Sequence, residues 1–150
     1  MPHRSPENPR MELVRALTSV RKAQIKVNMA IERLKAIKEF EAASRLTALN
    51  HILERISLRL ETIIVTRQLS GETVKSLITL SKALETLKIH APPHTHYAIT
   101  EVQESLENIY GNLTPEPLKL NPETVKSEAE EIIKEALKTA NNKTQNKHHT

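Results

Sequence analysis

The chain has 150 residues, 22 Lys or Arg against 18 acidic residues that are all Glu, a net charge of +4 and no Cys, which excludes a disulfide framework, a thiolate metal site and a thiol nucleophile. Its apolar content is aliphatic, with Phe40, Tyr97 and Tyr110 the only aromatics and Gly71 and Gly111 the only glycines, so hairpin turns and phosphate-cradling loops are nearly ruled out and helices remain. The charge is uneven: residues 1–40 hold nine Lys or Arg against four Glu, and residues 101–135 hold nine Glu against three Lys.

The expected organisation is all-α, with a long amphipathic helix or a helical hairpin followed by shorter helices. We divide it into a disordered N-terminus (1–10), a helical core (11–112), a Pro-containing linker (113–121), an acidic C-terminal helix (122–141) and a disordered tail (142–150). Pro2, Pro6 and Pro9 delay the first helix to about Arg10, and no Gly or Pro follows between Met11 and Ser70. Within that stretch Leu13, Leu17, Val20, Gln24, Val27, Ile31 and Leu34 form one 4-3 seam, and Ala42, Leu46, Leu49, Leu53, Ile56, Leu60 and Ile63 form another. Ile31 and Ala42 are 11 residues apart, three helical turns, so a single stutter would carry the stripe along one continuous helix of roughly 90 Å. A hairpin turn between Lys35 and Glu41 is the competing reading. Continuity is preferred because no turn-forming residue stands there.

Ser70-Gly71 breaks the pattern, and Leu77, Leu80, Leu84 and Leu87 mark a helix of about 17 residues that Pro92-Pro93 end. Ile99, Val102, Leu106 and Ile109 mark a short helix closed by Gly111 as a C-cap. After the linker, Asn121-Pro122-Glu123 is a helix start, with Asn as N-cap and Pro at the first helical position. Val125, Ala129, Ile132, Ile133, Ala136 and Leu137 supply that helix's apolar face.

The segment Leu58-Arg59-Leu60-Glu61-Thr62-Ile63, at the end of a long amphipathic helix, resembles a recognisable stretch of archaeal ESCRT-III-like cell-division (Cdv) proteins. The order of later elements is similar too: Val74 to Leu87, Pro92-Pro93, Val102 to Leu106, a Pro-containing linker and a late acidic helix. The resemblance covers roughly residues 52–140. It implies an ESCRT-III-like elongated bundle, without enzymatic activity, that polymerises into filaments on anionic membrane and takes part in remodelling or scission such as cell division. It further implies itself, ESCRT-III-like paralogues and an AAA+ ATPase as partners, no cofactor, and a cytoplasmic location at the inner face of the membrane. The family opens with a long basic helix folded against the next one, and the chain before Arg59 is short for two such helices at full length.

Three groups of residues are candidate contact sites. Arg15, Arg21, Lys22, Lys26, Arg33, Lys35 and Lys38 would meet anionic lipid, at up to about 1 kcal/mol per charge, or a neighbouring subunit; a plain solvated face is the alternative. Leu46, Leu49, Leu53, Ile56, Leu60 and Ile63 would form a self-assembly seam, because a helix of 60 residues has more stripe than later short helices cover. Leu113, Pro115, Pro117, Leu118 and Leu120 would dock the ATPase as a proline-ordered extended peptide, or serve as a linker only. The charge asymmetry suggests a switch in which the acidic late helix shields the basic first helix. His90, His94 and His96 flank Pro92-Pro93 without a carboxylate or thiolate nearby to complete a metal site, and His148 and His149 sit in the tail. No nucleophile–base pair, paired carboxylate or phosphate loop is present, so no catalytic residue is assigned; Glu130 and Glu131 are adjacent and project differently. A soluble coiled-coil adaptor of defined oligomeric state is the alternative function. Nucleic acid is a weaker one, since the chain lacks aromatics for base stacking.

Overall fold

The computed structural model describes residues 9–113 and 120–148, which form five helices and no strand: α1 (Pro9–Ala36), α2 (Phe40–Thr66), α3 (Gly71–Lys88), α4 (Pro93–Leu113) and α5 (Pro122–His148). The all-α reading holds. No helix among the described residues is long and apolar enough to cross a membrane.

The continuous 60-residue helix does not form. Instead the chain turns back at residues 37–39, and α1 and α2 pack as a hairpin, each about 40 Å long. Lys38 takes the left-handed conformation (φ 60°), and the Glu39 N–H donates to the Leu34 carbonyl (2.8 Å) while the Lys38 N–H donates to that of Lys35 (3.0 Å). These are the two closing bonds of a Schellman turn, built here without its usual glycine. The hairpin wins because folding back buries the two stripes against each other, whereas one continuous helix would leave most of both in water. Three contacts fix the antiparallel register: Arg21 with Glu61, Gln24 Nε2 donating to Glu54 Oε1 (2.8 Å), and Asn50 Nδ2 donating to Asn28 Oδ1 (3.2 Å). A side chain with a Cβ in the left-handed region is strained by about 1 kcal/mol. Lys38→Gly is therefore expected to raise the unfolding free energy by about 0.5 kcal/mol, less than the full strain because glycine also loosens the unfolded chain, as read from the urea midpoint at unchanged m-value.

The remaining breaks fall where the sequence places them. Ser70 caps α3, its Oγ accepting from the Thr73 N–H (3.2 Å), and Asn121 caps α5, its Oδ1 accepting from the N–H of Glu123 (3.0 Å). Two ends differ. α4 continues through Gly111 to Leu113, and α5 runs past residue 141 to His148. Gly111 costs a helix about 1 kcal/mol relative to Ala, which does not outweigh the apolar face that α4 buries.

α1 to α4 form a ring in which each helix meets the next and α4 returns to α1, while α5 lies outside it against α2 and α3. The shared core includes Leu46, Leu49, Ile52, Leu53, Ile56, Leu60, Leu77, Leu80, Leu84, Ile99, Leu106 and Ile109, each fully buried. On α1 the expected row is kept in part and widened: Leu13, Val20, Val27 and Ile31 are buried as expected. Ala16, Ala23 and Ala30 are buried at heptad spacing beside Leu13, Val20 and Val27, whereas Leu17 and Gln24 are half-buried. Small residues on the inner side let a helix wedged between two neighbours come close to both.

A polar network ties α3 to α4. Gln103 Nε2 donates to Glu85 Oε2 (2.7 Å), Lys88 Nζ donates to Gln103 Oε1 (2.9 Å), and Lys88 also stands 3.3 Å from Glu85. The Gln103 amide, then Lys88, holds the Glu85 carboxyl below the usual carboxylate range despite some desolvation.

Candidate functional site

Cationic and apolar side chains alternate along one face of α1, and α2 carries a second such face with exposed Arg55, Leu58, Arg59 and Val65. On the side of α1 opposite its buried row, Ile25 (62% exposed), Met29 (51%), Met11 (50%) and Val14 (42%) stand in solvent. Arg15, Lys22 and Arg33 are exposed at three- and four-residue offsets from them, which places all of these on one side of α1. None of those three bases has an ion-pair partner among the described residues. Lys26 is half-buried at the edge of the same face.

The other basic candidates lie elsewhere. Arg21 turns toward α2 and pairs with Glu61, Lys35 is half-buried beside Glu32 (3.9 Å), and Lys38 occupies the hairpin turn. Four of the seven thus share a face. Charge alone did not separate them; their angle from the 4-3 seam was the available signal.

The proposed self-assembly seam is not a surface. Leu46, Leu49, Leu53, Ile56, Leu60 and Ile63 are between 0 and 2% exposed inside the bundle, because the hairpin consumes the stripe that a long helix would have left open. Of the ATPase-docking candidates, Leu113 ends α4 and Leu120 is half-buried just before α5, while Pro115, Pro117 and Leu118 lie outside the described residues. The shielding switch meets a geometric obstacle. Among the described residues α5 touches α2 and α3 but not α1, so the late helix does not cover the basic one.

His90 and His94 are exposed and His96 is half-buried around the α3–α4 turn, and no group of three potential ligands among the described residues is arranged to hold a metal ion. The segment Leu58 to Ile63 splits between surface and core: Leu60 is buried, Leu58, Arg59 and Thr62 line an open cleft of about 350 Å³ with Arg55, Ser70 and Thr73, and Ile63, itself buried, forms part of its wall.

No family model, curated protein or solved structure matches this chain.

One buried group sits apart from the α1 surface. The Tyr110 hydroxyl, near the end of α4, is enclosed without a hydrogen-bond partner, and burial together with the nearby Glu107 carboxylate pushes its ionisation above the usual tyrosine range. The folded state therefore keeps this proton where the unfolded chain releases it, so the ionisation of Tyr110 leaves stability unaffected below about pH 10 and lowers it as pH rises further. Tyr110→Phe removes an unsatisfied hydroxyl and is expected to raise stability by about 1 kcal/mol at pH 7. Above about pH 10 its stability should also fall less steeply than that of the parent, by up to about 1.4 kcal/mol per pH unit, as measured by denaturant titration at paired pH values.

Proposed function

We propose that this chain is a non-enzymatic subunit that gathers on anionic membrane surface through the outer face of α1 and takes part in membrane remodelling, as the ESCRT-III-like proteins it resembles in sequence do. The observation that carries the reading is the alternation of exposed Arg15, Lys22 and Arg33 with exposed Val14, Ile25 and Met29 on one helix. Aliphatic side chains partition shallowly among lipid headgroups while the bases meet their phosphates, an arrangement typical of helices that lie in an interface rather than cross it. A hairpin, two shorter helices, a connecting segment and a late helix keep the order that the resemblance implies. With the heptad seams spent inside the bundle, assembly into filaments falls to outward faces, and the paralogues and AAA+ ATPase enter as the partners of that assembly.

Vesicle co-sedimentation tests the reading. Binding to vesicles containing phosphatidylserine, none to pure phosphatidylcholine, and weakening as salt rises are expected. Equal partition onto both lipids would overturn recognition of an anionic surface, partition onto neither would remove membrane from the proposal, and retention on duplex DNA at physiological salt without vesicle binding would replace it with nucleic acid. Negative-stain images of the vesicle-bound protein read the assembly part, which ordered filaments support and a featureless coat refutes.

A further inference from the structure

The basic stripe of α1 has an acidic neighbour. α4 packs beside α1, and the Ser19 and Ser105 hydroxyls, 3.3 Å apart, fix which residues stand level. α4 runs antiparallel to α1, so stepping three residues from that contact brings Lys22 level with Val102, between Glu101 and Glu104, and seven further brings Met29 past Tyr97. Tyr97 (69% exposed), Glu101 and Glu104 share the outward side of α4 at helical spacing, and neither glutamate has an ion-pair partner among the described residues. The outer surface is thus two parallel stripes of opposite sign, each with an exposed apolar member near the same height.

We propose that this α1–α4 face binds the same face of a second copy, about a two-fold axis parallel to the helices. Rotation about that axis exchanges left and right but preserves height. It lays Lys22 and Lys26 of α1 over the glutamate stripe of the other copy, seats Tyr97 of α4 between Ile25 and Met29, and repeats both contacts by symmetry. A two-fold perpendicular to the helices would instead stack base on base and acid on acid, which like-charge repulsion disfavours. Charge complementarity therefore selects both the partner and the symmetry. The pairing stands on this geometry alone; its consequence, that membrane and a second copy compete for one stripe and the dimer is the stored form, rests on the membrane reading above.

Sedimentation equilibrium of the full chain tests the pairing, with circular dichroism verifying that each variant stays helical. A monomer–dimer equilibrium that weakens as salt rises is expected for the parent. Glu101→Lys with Glu104→Lys, and separately Lys22→Glu with Lys26→Glu, should each weaken it by about a hundredfold or more. Mixing the two variants should restore a heterodimer, since the reversed α1 of one then faces the reversed α4 of the other and the unreversed stripes still match. A parent that stays monomeric, variants that dimerise as well as the parent, or a mixture that fails to pair overturns the proposal. The two readings separate on the Glu101→Lys, Glu104→Lys variant, which keeps the α1 stripe: vesicle binding at least as tight as the parent's supports competition, and loss of binding sinks the membrane reading while leaving the dimer result standing.

Discussion

Leu84→Ala is expected to lower the unfolding free energy by about 3 to 5 kcal/mol, the largest stability loss from any single truncation considered. Leu84 is fully buried on α3, and α3 is the helix that meets α2, α4 and α5. Removing a buried leucine loses its transfer free energy and adds a cavity term that depends on how far the walls collapse, with a range of about 2 to 5 kcal/mol. Here the walls belong to a ring of helices with a fifth packed on its outside, so inward movement at one contact opens another, and the upper half of the range applies. The corresponding change at half-buried Leu17 should cost less than about 1.5 kcal/mol, because water already reaches part of that side chain. Thermal melts give the comparison directly, with Leu84→Ala falling by roughly 10 °C. Equal losses at the two positions would mean that α3 is not the closed centre that its burial indicates.

What could be read from residue order divides along a physical line. Breaks that the chain makes with specialised residues were legible: Ser70 and Asn121 cap helices with their own side chains, and Pro93 and Pro122 stand at first helical positions. The α1–α2 turn was not, because Lys38 accepts a left-handed conformation that glycine would take without strain, and the gain that compensates comes from the packing of two whole helices rather than from the turn. Gly111 failed as a stop signal for the same reason in reverse. A local preference worth about 1 kcal/mol yields when tertiary burial on the same helix is larger. The core of α2 and α3 was legible as a pattern, but its partner was misassigned: the stripe expected to face other subunits faces α1 instead.

The site followed the same division. Seven bases near the start of the chain are evident from composition, but their grouping depends on which way each projects from α1, whose buried side joins Ala16, Ala23 and Ala30 to Leu13, Val20, Val27 and Ile31. The exposed Ile25 and Met29 fall outside both heptad rows, so the 4-3 pattern gives no sign of them. The charge asymmetry suggests one end of the chain covering the other. In the bundle the acidic neighbour of α1 is α4, alongside it rather than over it.

Reversing two charges on the stripe, Arg15→Glu with Lys22→Glu, should weaken association with phosphatidylserine vesicles by on the order of a hundredfold to a thousandfold. Each base near an anionic surface contributes about 1 kcal/mol, and each reversal both removes that attraction and adds a comparable repulsion, so two reversals change binding by up to about 4 kcal/mol. Arg15 and Lys22 are exposed and unpaired among the described residues, so folding should be unaffected within about 0.5 kcal/mol and lost binding cannot be assigned to lost structure. The discriminating control alters net charge equally but elsewhere: Lys82→Glu with Lys134→Glu changes exposed residues on α3 and α5. If total charge drives association, the two pairs act alike; if the α1 face does, the control loses less than about tenfold. Ile25→Ser with Met29→Ser then separates the two halves of the stripe. It should reduce binding at every salt concentration while leaving the salt dependence of the parent, because the bases still neutralise the same headgroups and only the apolar contribution is gone. A serine variant whose binding equals the parent's would reduce the face to a charged surface.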